Sequence, residues 1–139
     1  MTAADPREAA LVAAAAAVRE HARCTFSGFA VGCALRDANG TIWTGANVEN
    51  ASYTLGLCAE RVALFYALTH GAAAIEAVAV VTGADTPAPP CGACRQILFE
   101  FAADADLVLA TTGGALLRSR VRDLLPLAFD AGFLAPRQP

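Results

Sequence analysis

Five residues in two short stretches carry side chains that could do chemistry together: Cys58, Glu60 and Arg61 in "LCAER", and Cys91 and Cys94 in "PCGACRQ". A thiol, a carboxylate and a guanidinium are each costly to bury unpaired. Their clustering at the start of an apolar stretch therefore implies that they serve one another or a shared ligand. Cys91-x-x-Cys94 sets two thiols one turn apart at a helix start, close enough to share a metal. Cys58 opens a second helix 33 residues earlier. Two such helices side by side on one face of a sheet would let three sulfurs meet. The partial positive charge at each helix N-terminus favours the thiolate that a metal requires.

Three protein ligands leave a tetrahedral zinc one open position, the arrangement of a catalytic site. Glu60, two residues after Cys58, cannot point along the direction of the thiol and stands instead beside that open position. There the metal lowers the pKa of water from far above neutrality towards about 7, and the carboxylate takes the proton and passes it on. Arg61 has its own reason to be present. Three thiolates leave the zinc site net negative, and a guanidinium donating to sulfur withdraws part of that charge. One zinc per chain is expected.

The elements that must position these groups are legible in outline. In "DPREAALVAAAAAVREHA", Asp5 can cap, Pro6 suits the first helical position and Glu8 completes a capping-box pattern, which predicts a helix to about Ala22. Phe29 to Arg36 and Thr41 to Ala46 flank "DANG", a hairpin signal with Asn39-Gly40 at the turn. Asn47 to Gly56 lacks a clear period and reads as a loop. Cys58 to about His70 is apolar nearly all round, which predicts a helix buried on most sides and ended by Gly71. Ala74 to Thr82 reads as a buried strand, Cys91 to Phe101 as a helix, and Leu107 to Ala110 as a short strand. After "TTGG", the stretch "LLRSRVRDLLPLAF" is partly helical or extended. The order αββαβαβ predicts a three-layer α/β/α domain around one mixed sheet, a single zinc domain spanning 1–139.

Bulk properties narrow the function. Of 139 residues, 56% are hydrophobic and 17% charged, against roughly 45–50% and 25% in ordinary globular chains, and much of the excess is alanine. So little polar surface points to a homo-oligomer, a dimer or tetramer. The net charge of −3, with no basic run, argues against gripping nucleic acid. The longest apolar run, Ala9 to Val18, is too short to span a bilayer and lacks the basic leader of a signal peptide. A cytoplasmic location is expected, with the five cysteines reduced and serving as ligands or core.

"CAE" and "PCGAC" fit the pattern [HC]-x-E … P-C-x-x-C of zinc nucleoside and nucleobase deaminases. More narrowly, "NVENASYTLGLCAER" and "PCGACRQ" resemble the small free-nucleoside cytidine deaminases, a likeness running from about Phe26 to Phe129. The resemblance implies that Cys58, Cys91 and Cys94 hold zinc and that Glu60 is the catalytic proton shuttle. It implies that Asn47 and Glu49 bind the ribose hydroxyls and that Phe29 packs on the pyrimidine. Ala51 and Tyr53 match residues that a neighbouring subunit contributes near the sugar, and Phe129 matches an aromatic reaching into the adjacent subunit's site. Shared sites of this kind imply a homotetramer acting on cytidine and 2′-deoxycytidine in pyrimidine salvage. The sequence departs from the usual pattern at Phe26, where tyrosine is common, at Ala30, a position often held by proline or another larger residue, and at Thr54, where proline is frequent.

Other readings compete. A lone Cys-x-x-Cys also suits a structural zinc knuckle or a thioredoxin-like redox pair, but neither accounts for Cys58, Glu60 and Arg61. A structural zinc would want a fourth ligand from Cys24 or Cys33, and Cys33 lies in a strand pattern where a small buried hydrophobe is expected. A zinc-stabilised binding module, and a deaminase of a modified cytosine nucleoside such as an antibiotic or an alkylated cytidine, share the same metal residues. Retention of "NVEN" favours the ordinary nucleoside. His21 and His70, at helix ends, and the packing residues Trp43 and Tyr66 are assigned no chemistry.

Overall fold

Pro6–Arg19 forms α1, and the chain then builds a hairpin of β1 (Val31–Asp37) and β2 (Ile42–Ala46). Next come α2 (Ala59–Thr69), β3 (Ile75–Thr82), α3 (Gly92–Ala102), β4 (Asp106–Thr111) and β5 (Leu116–Arg120). The computed structural model describes residues 5–134. The five strands form one sheet in the order β2-β1-β3-β4-β5. Only β3 and β4 run parallel, while the remaining pairs are antiparallel, so the sheet is mixed as predicted.

Strand alternation assigns the two faces. Leu35, Val78, Val80, Leu107 and Leu109 face Ala63 and Leu64 of α2 and Leu98 of α3. The opposite face presents Ala34, Ala77, Ala79, Val81, Val108 and Ala110 to Leu11 and Ala15 of α1. Small residues on that second face let α1 lie close, which explains much of the alanine excess. The approach is tightest at Gly32, where an added Cβ would lie 1.9 Å from the Ala15 carbonyl oxygen.

Several element ends differ from expectation, each for a visible reason. α1 stops at Arg19 and does not reach Ala22. Glu20, His21 and Ala22 donate to carbonyls three residues back, tightening the chain into a turn. Arg23 then pairs through its backbone with Asn47 and Glu49. Asp5 caps α1, its Oδ1 accepting from the Arg7 N–H at 2.9 Å. Glu8 closes no capping box, because its carboxylate takes both Nε and an NH2 of Arg118 in β5, at 2.8 and 2.6 Å. The stretch "LLRSR" becomes β5, antiparallel to β4, followed by a 3₁₀ turn over Val121–Leu124. It lies at the sheet edge and is mostly exposed, so no burial alternation marks it in sequence.

One buried carboxylate organises the hairpin end. Asp37 accepts from the Trp43 indole N–H at 3.0 Å and from the Asn39, Thr41 and Ala73 amides at 3.0, 3.0 and 3.2 Å. The indole bond, followed by the backbone donors, holds its carboxyl below the usual range. The expectation for α2 needs correction. Its inner face is buried, yet Phe65, Tyr66 and Leu68 remain 38%, 49% and 39% exposed on the outer one.

Candidate metal centre and active site

Cys58 is the N-cap of α2 and Cys91 the N-cap of α3, while Cys94 sits in the first turn of α3. Both helices pack on the same sheet face, so their N-termini meet. The three Sγ atoms lie within 4.8 Å of one another. Cys58 and Cys91 are 3.7 Å apart, far beyond a disulfide bond. A tetrahedral zinc with sulfur ligands at about 2.3 Å separates neighbouring sulfurs by about 3.8 Å, so the donor set fits zinc in both chemistry and spacing.

The site is electrostatically divided. The Cys58 thiol is drawn down to about 5, chiefly by a hydrogen bond from Cys94 and then by Arg61 and Cys91. Cys94 is pushed up for the same reason, since it donates to the Cys58 thiolate. An Arg61 NH2 lies 3.6 Å from Cys58 Sγ, consistent with the charge-balancing role expected of it. Glu60 is 5% exposed, with Oε2 accepting from Cys94 Sγ at 3.8 Å. Burial raises its carboxyl above the ordinary range, against the opposing pull of its own backbone N–H. A carboxyl raised in this way is suited to exchange a proton near neutral pH. Burial, and then the Glu60 charge, push the Cys33 thiol well up, and this residue belongs to the core and not to the thiol cluster.

Glu60, Cys58 and Cys91 open into a cavity of about 300 Å³ that is also lined by Phe29, Asn47 and Ser27. An adjoining cavity of about 280 Å³ shares Asn47 and Cys58 and adds Glu49, Tyr53 and Arg61. The segment carrying Asn47 and Glu49 has no regular secondary structure, yet it is held on both sides. Val48 pairs with Leu57 through reciprocal backbone bonds of 3.0 and 2.9 Å, while Arg23 pairs with Asn47 and Glu49 at 2.9 and 2.7 Å. Those pairings place both residues beside Cys58.

Asn47 also braces the wall, with Nδ2 donating to the Phe29 carbonyl and Oδ1 accepting from the Val31 N–H, each at 2.8 Å. One N–H and one lone pair of its amide remain for a ligand. Ala51 and Tyr53 are exposed, and Tyr53 meets Phe26 edge-on at 5.5 Å. Phe129 is 57% exposed, lies outside both cavities, and stacks on Phe133 at 5.4 Å.

Three positioning contacts escape sequence reading. Ser27 bonds Glu49, Arg19 Nε donates to the Ala30 carbonyl at 2.9 Å, and Gln96 Nε2 donates to the Phe129 carbonyl at 2.8 Å. No spacing marks these residues, because each acts across a tertiary contact. A further cavity of about 280 Å³ lies on the other sheet face, near Glu8, Arg36, Asp106 and Arg118. Two of its charges pair with each other, and it contains no thiol.

Comparison with known proteins agrees with this arrangement. The family described as "Cytidine and deoxycytidylate deaminase zinc-binding region" matches residues 6–111. A cytidine deaminase of Halalkalibacterium halodurans is 45% identical over 87% of this chain and 92% of its own length. The crystal structure of cytidine deaminase from Burkholderia pseudomallei superposes with a TM-score of 0.84 at 45% identity, covering 87% of this chain and 98% of that one. The structure from Mycobacterium tuberculosis gives 0.76 at 36% identity, covering 90% and 98%. With the mixed sheet, the paired helix N-termini and the thiol cluster in place, the chain belongs to the cytidine deaminase family and carries that family's zinc-binding region.

Proposed function

We propose that this protein hydrolyses the exocyclic amine of cytidine and 2′-deoxycytidine, giving the uridine forms and ammonia. The observation that carries the reading is the buried carboxylate of Glu60 beside three converging thiols, opening on a cavity walled by Phe29 and Asn47. Relatives named cytidine deaminases support the substrate, and a modified cytosine nucleoside is not favoured.

Cys58, Cys91 and Cys94 would hold the zinc, which supplies the Lewis acidity that makes water a nucleophile at neutral pH. Glu60 takes a proton from the attacking water and delivers it to ring N3, which makes C4 electrophilic. It then carries the second proton to the exocyclic nitrogen, which leaves as ammonia. Phe29 packs on the pyrimidine, while the Asn47 amide donates and accepts, and the Glu49 carboxylate accepts, at the sugar hydroxyls. Arg61 offsets the negative charge of the thiolates.

The proposal extends to assembly and location. A homotetramer would let Ala51, Tyr53 and Phe129 serve a neighbouring subunit's site, and the exposure of all three in the single chain supports that reading. A cytoplasmic role in pyrimidine salvage, without nucleic-acid or membrane partners, is proposed with it. No helix among the described residues is long and apolar enough to cross a membrane.

The test is turnover of cytidine against free cytosine. Cytosine leaves the sugar-binding groups unpaired, so its kcat/KM is expected to be lower by on the order of 10⁴. Comparable values for the two would remove the sugar role from Asn47 and Glu49.

A further inference from the structure

Glu49 is a flexible side chain whose orientation depends on one neighbour. Among the described residues, every hydrogen bond to its carboxylate comes from Ser27. The Ser27 backbone N–H and its Oγ both donate to Glu49 Oε1 at 3.1 Å. The same hydroxyl accepts from the Phe29 N–H at 3.0 Å. A carboxylate only accepts and an amide N–H only donates, so these two partners fix the direction of the hydroxyl proton. The turn is available because Gly28 adopts φ +67°, with its N–H on the Cys24 carbonyl at 2.7 Å. Ser27 lines the cavity that holds Glu60, Glu49 lines the adjoining one, and Asn47 and Cys58 belong to both.

We propose that Ser27 is a positioning residue for sugar recognition: its hydroxyl links the Glu49 carboxylate to the Phe29 backbone, so that the sugar and base contacts are set as one unit. The inference rests on the reading above that Glu49 binds sugar hydroxyls. Oε1 is occupied by Ser27, and Oε2, with no partner among the described residues, is the oxygen presented to the sugar. Without the serine hydroxyl only the Ser27 backbone N–H remains on Oε1, and Glu49 regains part of the rotamer freedom that binding must remove again. The loss therefore falls on KM for substrates bearing the hydroxyls.

The experiment compares cytidine with 2′,3′-dideoxycytidine, which lacks the ring hydroxyls, in wild type, Ser27→Ala, Ser27→Thr and Glu49→Gln, each checked for zinc content. The preference ratio, kcat/KM for cytidine over the dideoxy compound, is expected to fall by on the order of tenfold in Ser27→Ala, chiefly through KM, the size of one lost positioning hydrogen bond. Ser27→Thr, which keeps the hydroxyl, is expected to restore the ratio. An equal loss on both substrates in Ser27→Ala would make the residue merely structural and overturn the proposal. A collapsed ratio in Glu49→Gln with an unchanged one in Ser27→Ala overturns the Ser27 inference alone. An unchanged ratio in Glu49→Gln overturns the sugar role of Glu49 and the inference with it.

Discussion

At Glu60 an ionisable group sits 5% exposed in a helix whose other buried positions are alanine and leucine. Such placement costs stability and has no packing rationale, which is the mark of a group kept for chemistry. Glu60→Gln keeps the shape and removes the proton-accepting oxygen. It is expected to lower kcat on cytidine by on the order of 10²–10⁴ while retaining zinc. Steady-state kinetics beside metal analysis checks this, and a zinc-loaded variant turning over within a few fold of wild type would remove Glu60 from the mechanism. The thiols and Glu60 stand out in the sequence because Cys91 and Cys94 are one helical turn apart and a carboxylate follows Cys58 within two residues at the start of an apolar helix. Ser27 and Arg19 were not, since a loop serine or a helix-end arginine has no local signature and finds its partner only after the chain folds.

Among the elements, the helices and central strands follow from periodicity, and the errors gather where tertiary contacts override local pattern. α1 ends early because Arg23 is drawn to the Asn47–Glu49 segment, and β5 lacks alternation because it lies at the edge. On the active-site face, β2 lies tight against α2 at Gly45. A Cβ at Gly45 would lie 2.4 Å from the Ala63 nitrogen, which is helix backbone and cannot swing aside. Gly45→Ala must displace α2, the helix that carries Cys58 and Glu60. We expect a loss of about 1–3 kcal/mol in denaturant unfolding, accompanied by weaker zinc retention and lower turnover. A variant with unchanged stability would show that this contact is looser than described.

Among the described residues, many large apolar side chains are open to solvent in the single chain. Phe65, Tyr66 and Leu68 on α2, Tyr53 beside the site, and the stacked Phe129 and Phe133 are all exposed. Composition signalled this excess, whereas the position of the open face came only with the fold, because a nearly all-apolar helix does not reveal which side is covered. The proposed homotetramer predicts a light-scattering mass four times that of the chain, and a monomer at micromolar concentration would contradict it. The central claim, that the three thiols and Glu60 make a zinc-dependent cytidine deaminase, is tested most directly by the fall in ultraviolet absorbance of cytidine on adding purified protein, with and without prior removal of zinc by a chelator. The account predicts conversion to uridine that stops with the metal and returns on adding zinc. Cytidine left untouched by protein carrying one zinc per chain would contradict it.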